Sequence, residues 1–399
     1  MQSPRIAALL DDPAPDAVDR FWAEITRTGT PLIEPYADGR HLVTFLWRGE
    51  ATAVRAWFNI DIPLVRLPGT DLWHGSGVFP SDLRTIYCLV HDGAEQVPQS
   101  RTDTYPATID QANPRVFHLP ADPDDPTDAD TWCSVLELPD APPVTWTGLR
   151  PHTPAGRLDD RTLPSLALRT NVRVTAYLPP GIDPAGLPVL VVFDGYPAQT
   201  MMRIPTVLDN LIAGHRIPPM AALFVRGRDE HRNRDLTPGR PMERLVADEL
   251  LPWAQKTWRI GSPGGNLIAG MSRGGLVAAH LGLRRPDLFQ AAIAHSGSFW
   301  WPSPDAGTPA RLVREVARTS PSNVHFFLDV GFLETMTGPG GAPSQLTACR
   351  RMRDALTDRG FRVTYQEFQG GHDYVNWRDN FAGALIATTA SAVGSPRAG

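Results

Sequence analysis

The chain has 399 residues, of which 42% are hydrophobic and 20% charged, and a formal net charge of −5. That size and balance imply a globular protein of two domains with full cores, and give no reason to expect nucleic acid or a membrane surface as a partner. Cys88, Cys133 and Cys349 are few, odd in number and far apart, with no CxxC or Cys/His cluster, so neither a disulfide framework nor a zinc site is expected.

The N-terminal stretch "MQSPRIAALLDDPAPDAVDRFW" has no basic start followed by a long apolar core. No window approaches ~18 uninterrupted apolar residues, so neither a signal peptide nor a membrane span is expected, and a cytoplasmic location is the default. Residues 14–28 read as a short amphipathic helix. From about residue 41, "HLVTFLWRG", "AVRAWFNI", "LVRLPGTDLWHGSG" and "LRTIYCLVHD" are short runs rich in Val, Phe, Trp and Thr with turn residues between them. They predict an N-terminal β-sandwich domain, immunoglobulin-like in kind, over residues 1–150. Residues 97–130, dense in Pro, Asp and Thr, read as a linker wrapping over its surface, and "TWCSVLELPDAPP" closes the section.

Over residues 151–399 strands alternate with helices. "NVRVTAYLPP", "GLPVLVVFDGY", "MAALFVRG", "GNLIAGM", "QAAIAHSG", "NVHFFLDVG" and "RVTYQEF" are the strands, several of them continuous apolar runs suited to burial on both faces. "PTVLDNLIAGH", "RPMERLVADELLPWAQKTW", "RGGLVAAHLGLRRP", a helix near "ARLVREVAR" and "SQLTACRRMRDALTDRG" lie between them. The alternation predicts an α/β domain with a doubly wound, mostly parallel sheet.

Gly270-Met271-Ser272-Arg273-Gly274 sits at a strand-to-helix junction. It is a G-x-S-x-G elbow, in which a sharp turn lifts a serine hydroxyl out of the sheet and the flanking positions must lack bulk. A serine becomes nucleophilic when a base takes its proton. Of the eleven histidines, His372 stands alone in being on a glycine-rich loop after the last strand, where such a base is expected. The acid should lie between them, after the preceding strand. "NVHFFLDVGFLETM" offers Asp329 within the strand and Glu334 just beyond it, and the loop position favours Glu334. Asp373 is too close in sequence to His372 to be its usual partner. Oxyanion donors are expected from the backbone N–H of Arg273, and from that of Tyr196 in the turn Asp194-Gly195-Tyr196.

With these residues in place the chain resembles the enterochelin esterases, ferric catecholate-siderophore hydrolases of the esterase D-like α/β-hydrolase group, which implies an α/β-hydrolase fold for the second domain. "VTFLWRG", "RLPGTDLWHGS", "PSDLRTIYCLV", "DQANPRVF" and "SVLELPDAPP" carry the likeness in the front half. "VVFDGY", "DELLPW", "GMSRGG", "HSGSFWWP" and "GGHDYVNW" carry it in the back half. The resemblance implies Ser272 as nucleophile and His372 as base. It aligns "HRNRDL" with the family's R-x-x-E-L site, which makes Arg232 a candidate contact for the anionic ferric complex or, alternatively, a structural salt bridge; Asp235 stands at the acid of that site. Some members of the family work with a Ser-His pair, so the acid stays open. Trp300 and Trp301 are candidates to stack on catechol rings, with a place in the core as the competing reading.

The residues predict serine esterase chemistry, and the resemblance implies hydrolysis of the ester bonds of a catecholate trilactone, with iron arriving as part of the substrate and no cofactor. Two alternatives use the same residues differently: an acyltransferase or cyclase that passes the acyl-enzyme to another nucleophile, and a siderophore-binding module without activity.

Overall fold

The computed structural model describes residues 3–92, 107–126, 128–227 and 231–393. The chain forms two compact units, Met1–Pro143 with Gln369–Asn376, and Val144–Phe368 with Trp377–Gly399.

The first unit opens with two helices, α1 (Pro4–Asp11) and α2 (Ala17–Thr28). Periodicity predicts only the second. The signal for α1 is its start: Ser3 accepts the N–H groups of Arg5 and Ile6, and Pro4 occupies the first helical position, where no amide hydrogen is needed. Nine strands follow among the described residues: β1 (Leu32–Pro35), β2 (Arg40–Arg48), β3 (Val54–Phe58), β4 (Asp61–Arg66), β5 (Leu72–Pro80), β6 (Arg84–His91), β7 (Ala107–Thr108), β8 (Val116–Leu119) and β9 (Thr131–Glu137). All pairings are antiparallel, in the order β1-β2-β5-β4-β3-β6-β9-β8, with β7 also on β6. β4 divides its bonds: Asp61–Leu64 pair with β3, and Val65 and Arg66 pair with β5. One strand thus serves two sheets, as at the corner of a sandwich. Phe45 of β2 meets Tyr87 of β6 edge-on, with centroids 5.0 Å apart, and both are fully buried.

Of the stretch 97–130 expected to be a linker, residues 97–106 and 127 lie outside the described residues. The rest is not all linker, since β8 pairs along its whole length with β9. Four residues between Pro-rich turns are too short to show a period. The turn before β8 is fixed by polar burial. Asp110, 2% exposed, accepts the hydroxyls of Tyr87 (2.7 Å) and Thr30 (2.6 Å), and Asn113 donates to the Val135 carbonyl at 3.0 Å.

The second unit is built on a sheet of eight strands: β10 (Arg157–Ser165), β11 (Thr170–Leu178), β12 (Val189–Phe193), β13 (Ala221–Arg226), β14 (Asn266–Met271), β15 (Phe289–His295), β16 (His325–Gly331) and β17 (Arg362–Phe368). Their order is β10-β11-β13-β12-β14-β15-β16-β17. β10 and β11 join antiparallel, and β12 to β17 run parallel. Every residue of β12, β14 and β16 is buried, which is why their sequences are continuous apolar runs. The helices are α3 (Gly195–Thr200), α4 (Ile204–Ala213), α5 (Arg232–Asp235), α6 (Arg240–Arg244), α7 (Leu251–Trp258), α8 (Arg273–Arg284), α9 (Arg311–Val316), α10 (Gln345–Asp358) and α11 (Tyr374–Val393). α6 runs through a π-helical turn, Leu245–Leu250, into α7. This is the doubly wound, mostly parallel sheet that the alternation predicts, in the α/β-hydrolase form that the resemblance implies.

Three elements leave little trace in the sequence pattern. β10, "RLDDRTLPS", is an edge strand exposed along most of its length, so it carries no apolar alternation. α3 is a six-residue continuation of a turn. α11 starts inside "GGHDYVNW", and its local signal is Asp373 acting as a helix cap: the Oδ1 accepts the Asn376 N–H at 2.9 Å.

Tyr87→Phe removes one of the hydroxyls that Asp110 accepts and leaves a buried carboxylate underbonded. Urea unfolding should show destabilisation of about 1–3 kcal/mol, the range for an unsatisfied buried polar group; an unchanged midpoint would refute this account of the turn.

Candidate active site

β12 to β16 all end at the same edge of the sheet, and the polar residues of interest follow their carboxyl ends. Ser272 lies between β14 and α8 with φ 55 and ψ −116, a strained conformation for any residue with a side chain. Its N–H donates to the His295 carbonyl at 2.9 Å, and its own carbonyl accepts Leu276 at 3.1 Å and Ser298 at 3.0 Å. Its Oγ lies 3.3 Å from that of Ser298. The turn is tight because Gly270 is pressed on Gly274: a Cβ at Gly270 would lie 2.3 Å from the Gly274 carbonyl carbon. The sequence puts a glycine there because no other residue fits.

Arg273 is the first residue of α8, and its side chain folds back over the loop after β13. Its Nη2 donates to the Asn233 carbonyl (2.8 Å) and to Thr237 Oγ1 (3.0 Å), and its guanidinium sits 5.2 Å from the centre of the Trp301 ring. Burial, together with nearby Arg232, pulls its pKa down to about 10, which leaves it cationic at neutral pH.

The turn after β12 carries Asp194 in the left-handed region at φ 56, capping α3, with Gly195 and Tyr196 in the first helical turn. Arg232 grips this turn. Its Nε and Nη2 donate to the two carboxylate oxygens of Asp194 at 2.6 and 2.7 Å, a bidentate fork on a carboxylate that is almost fully buried. Asp235, on the same short helix, is paired with Arg234 at 2.9 Å.

The two acids separate clearly. Asp329 and His295 are both fully buried and face each other, Oδ2 to Nδ1 at 2.8 Å. Glu334 follows β16 and is 7% exposed. Its Oε1 accepts the Ser296 hydroxyl (2.6 Å) and the Gly331 N–H (2.8 Å), and its carbonyl accepts Leu346 N–H at 3.0 Å. Ser296 in turn accepts the Trp377 indole N–H at 2.9 Å. Sequence reasoning has no means to see this relay, because Ser296 and Trp377 stand 81 positions apart in the chain.

Trp300 packs against the main core of this unit, and its indole N–H donates to Gln345 Oε1 at 2.7 Å. Trp301 is likewise only partly buried and lies under Arg273.

His372 belongs to the segment grouped with the first unit. Its N–H donates to Asn59 Oδ1 at 3.0 Å. The next residue, Asp373, is 2% exposed and accepts Asn59 Nδ2 (2.7 Å), Thr85 Oγ1 (2.9 Å), Ile86 N–H (3.4 Å), and both the N–H and Nδ2 of Asn376 (2.9 Å each). Burial raises its pKa to about 6, and these donors hold the increase down. Among the described residues no group of His, Cys, Asp and Glu side chains could hold a metal ion. Among them, too, no helix is long and apolar enough to cross a membrane.

Comparison with known proteins agrees with this architecture. Residues 165–388 match the family "Putative esterase", and residues 42–147 match "Enterochelin esterase, N-terminal". The iron(III) enterobactin esterase of Dickeya dadantii is 30% identical, across 94% of this chain and 93% of that protein. The iron(III) salmochelin esterase of Escherichia coli is 28% identical, across 92% and 91%. The crystal structure of ferric enterobactin esterase from Salmonella typhimurium shares the fold, with a TM-score of 0.76 at 22% identity, covering 94% of this chain and all (100%) of that one. The match to the esterase family makes the chain a carboxylic ester hydrolase, and its sheet is that of the α/β-hydrolase class. Within that class the chain belongs to the enterochelin esterase family.

Two substitutions probe this geometry. Gly270→Ala should abolish labelling by a fluorophosphonate probe, because a methyl group cannot occupy the gap to Gly274 without opening the turn. Arg232→Lys keeps the charge but cannot form the fork on Asp194. Ester hydrolysis should fall about 10- to 100-fold in kcat as the turn loosens, and steady-state kinetics on a 4-nitrophenyl ester would measure it.

Proposed function

We infer that this enzyme hydrolyses the ester bonds of a catecholate trilactone siderophore carrying iron(III), in the cytoplasm, so that the chelate loosens and the metal can be released. The observation that carries the reading is the elbow: Ser272 held at φ 55 between β14 and α8, in a chain that matches both family halves. The curated relatives of this family are iron(III) enterobactin and salmochelin esterases, which favours a ferric catecholate over other esters. Iron enters as cargo, and the chemistry asks nothing of a cofactor.

In the proposed reaction His372 takes the Ser272 hydroxyl proton as the oxygen attacks a lactone carbonyl. The backbone N–H groups of Arg273 and Tyr196, in the first turns of α8 and α3, receive the oxyanion. The intermediate collapses, the ring oxygen leaves as an alcohol with the proton from His372, and a linear acyl-enzyme remains. Water then gives its proton to His372 and attacks the acyl carbon. The free acid departs, and Ser272 recovers its proton. Glu334 is the proposed acid. Its burial and fixed hydrogen bonds support that role, and the pairing of Asp329 with His295 supports the choice between the two. Arg232 serves the site through the Asp194 turn it grips. Trp301, backed by the Arg273 cation, together with Trp300 offers aromatic surface for catechol rings.

Iron-loaded catecholate trilactones incubated with the enzyme should yield ring-opened products by mass spectrometry, and Ser272→Ala should yield none. Adding a competing amine or alcohol separates hydrolysis from acyl transfer, since hydrolysis predicts free acids in both cases. Glu334→Gln should lower kcat by roughly 10⁴-fold, the loss seen when a triad acid is changed to its amide. Failure to open any trilactone would overturn the substrate assignment.

A further inference from the structure

We propose that Asn59, in the loop between β3 and β4, is a positioning residue for the catalytic base. The proposal rests on the reading of His372 as that base. The side chain of Asn59 uses both ends of its amide. Oδ1 accepts the His372 N–H at 3.0 Å, while Nδ2 donates to the Asp373 carboxylate at 2.7 Å and to Thr85 Oγ1 at 3.0 Å. It also lies directly against the backbone it holds: a Cβ on Gly371 would fall 2.1 Å from the Asn59 side chain. The glycine before the histidine is thus a docking position, not loose loop.

The rest of the segment is fixed from the same unit. The Arg84 N–H donates to the Gln369 carbonyl at 3.1 Å, and Asn376 Nδ2 donates to the Arg84 carbonyl at 3.0 Å. Asp373 is buried with five donors around it. The bond from Asn59 Oδ1 reaches the backbone of His372 itself, whereas those from Thr85 and Ile86 stop at Asp373. A general base must be held close to its proton donor, and errors of about 1 Å can cost around 10² in rate. The three-point amide supplies that restraint for the histidine backbone.

The test compares two substitutions that remove bonds from the same cluster. Asn59→Ala removes the acceptor for the His372 N–H and a donor to Asp373. Thr85→Val removes a donor to Asp373 and one of the two acceptors of Asn59 Nδ2, while Asn59 keeps its bonds to the His372 N–H and to Asp373. With a 4-nitrophenyl ester as substrate, Asn59→Ala should lower kcat by about 10- to 100-fold with KM changed less than about twofold. Thr85→Val should lower the melting temperature comparably but keep kcat within about threefold of wild type. If Asn59→Ala does not yield folded protein, Asn59→Ser carries the same expectation. Wild-type kcat in the Asn59 variants would overturn the proposal, as would loss of kcat in both variants in proportion to melting temperature. His372→Ala is measured alongside: if it hydrolyses the ester as well as wild type, the assignment of the base fails, and the positioning role fails with it. Loss of activity in His372→Ala with an unaffected Asn59 variant overturns the positioning role alone.

Discussion

The close approach of the Gly270 and Gly274 backbones is the constraint on which the serine turn of the second unit depends. It lets β14, wholly buried at the centre of a parallel sheet, turn abruptly into α8 and leave Ser272 at φ 55. The neighbouring strands hold that turn in place. His295 at the end of β15 accepts the Ser272 N–H, and Ser298 donates back to the Ser272 carbonyl. The strain at one residue is sustained by hydrogen bonds from the adjacent strand and the turn that follows it, which is how a backbone outlier persists in a stable fold.

Charge around the elbow is arranged around two arginines held in different ways. Arg232 neutralises Asp194 through two short bonds, so the turn after β12 is fixed by an ion pair with low exposure on the acid side. Arg273 is held instead by a carbonyl, a hydroxyl and a ring face, and burial beside Arg232 brings its pKa down to about 10. A cation that is desolvated but still charged is suited to an anionic ligand. On the other side of β14, His295 Nδ1 and Asp329 Oδ2 pair in the core, while Glu334, a few residues further along, is placed by Ser296 and the Gly331 amide.

Much of this is legible in the chain. The alternation of apolar runs and helical patterns predicts the α/β sheet, because strands buried on both faces must be apolar throughout. The elbow is legible because its requirement for glycine is steric and local. The polar edge strand β10 and the short helix α3 are not, since neither leaves a period in the sequence. Nor can sequence separate Asp329 from Glu334 by contact. It offers only their positions in strand and loop, while the buried partner of each comes from the packing of β15, β16 and the turns beyond them. Cys88 and Cys133, 45 positions apart, come together as neighbouring buried thiols with their sulfurs 3.6 Å apart, which only the pairing of β6 with β9 could bring about.

By itself the sequence determined the class of the fold, the identity and conformation of the serine turn, and the family, because these follow from periodicity and from short motifs whose residues are neighbours in the chain. Tertiary structure alone decided which partner each polar group has. Arg232 closes on Asp194 across 38 positions, and Asn59 reaches His372 across 313. Hydrogen bonds and ion pairs act over about 3 Å, and nothing in the order of residues encodes which distant groups the packed sheets will bring within that range.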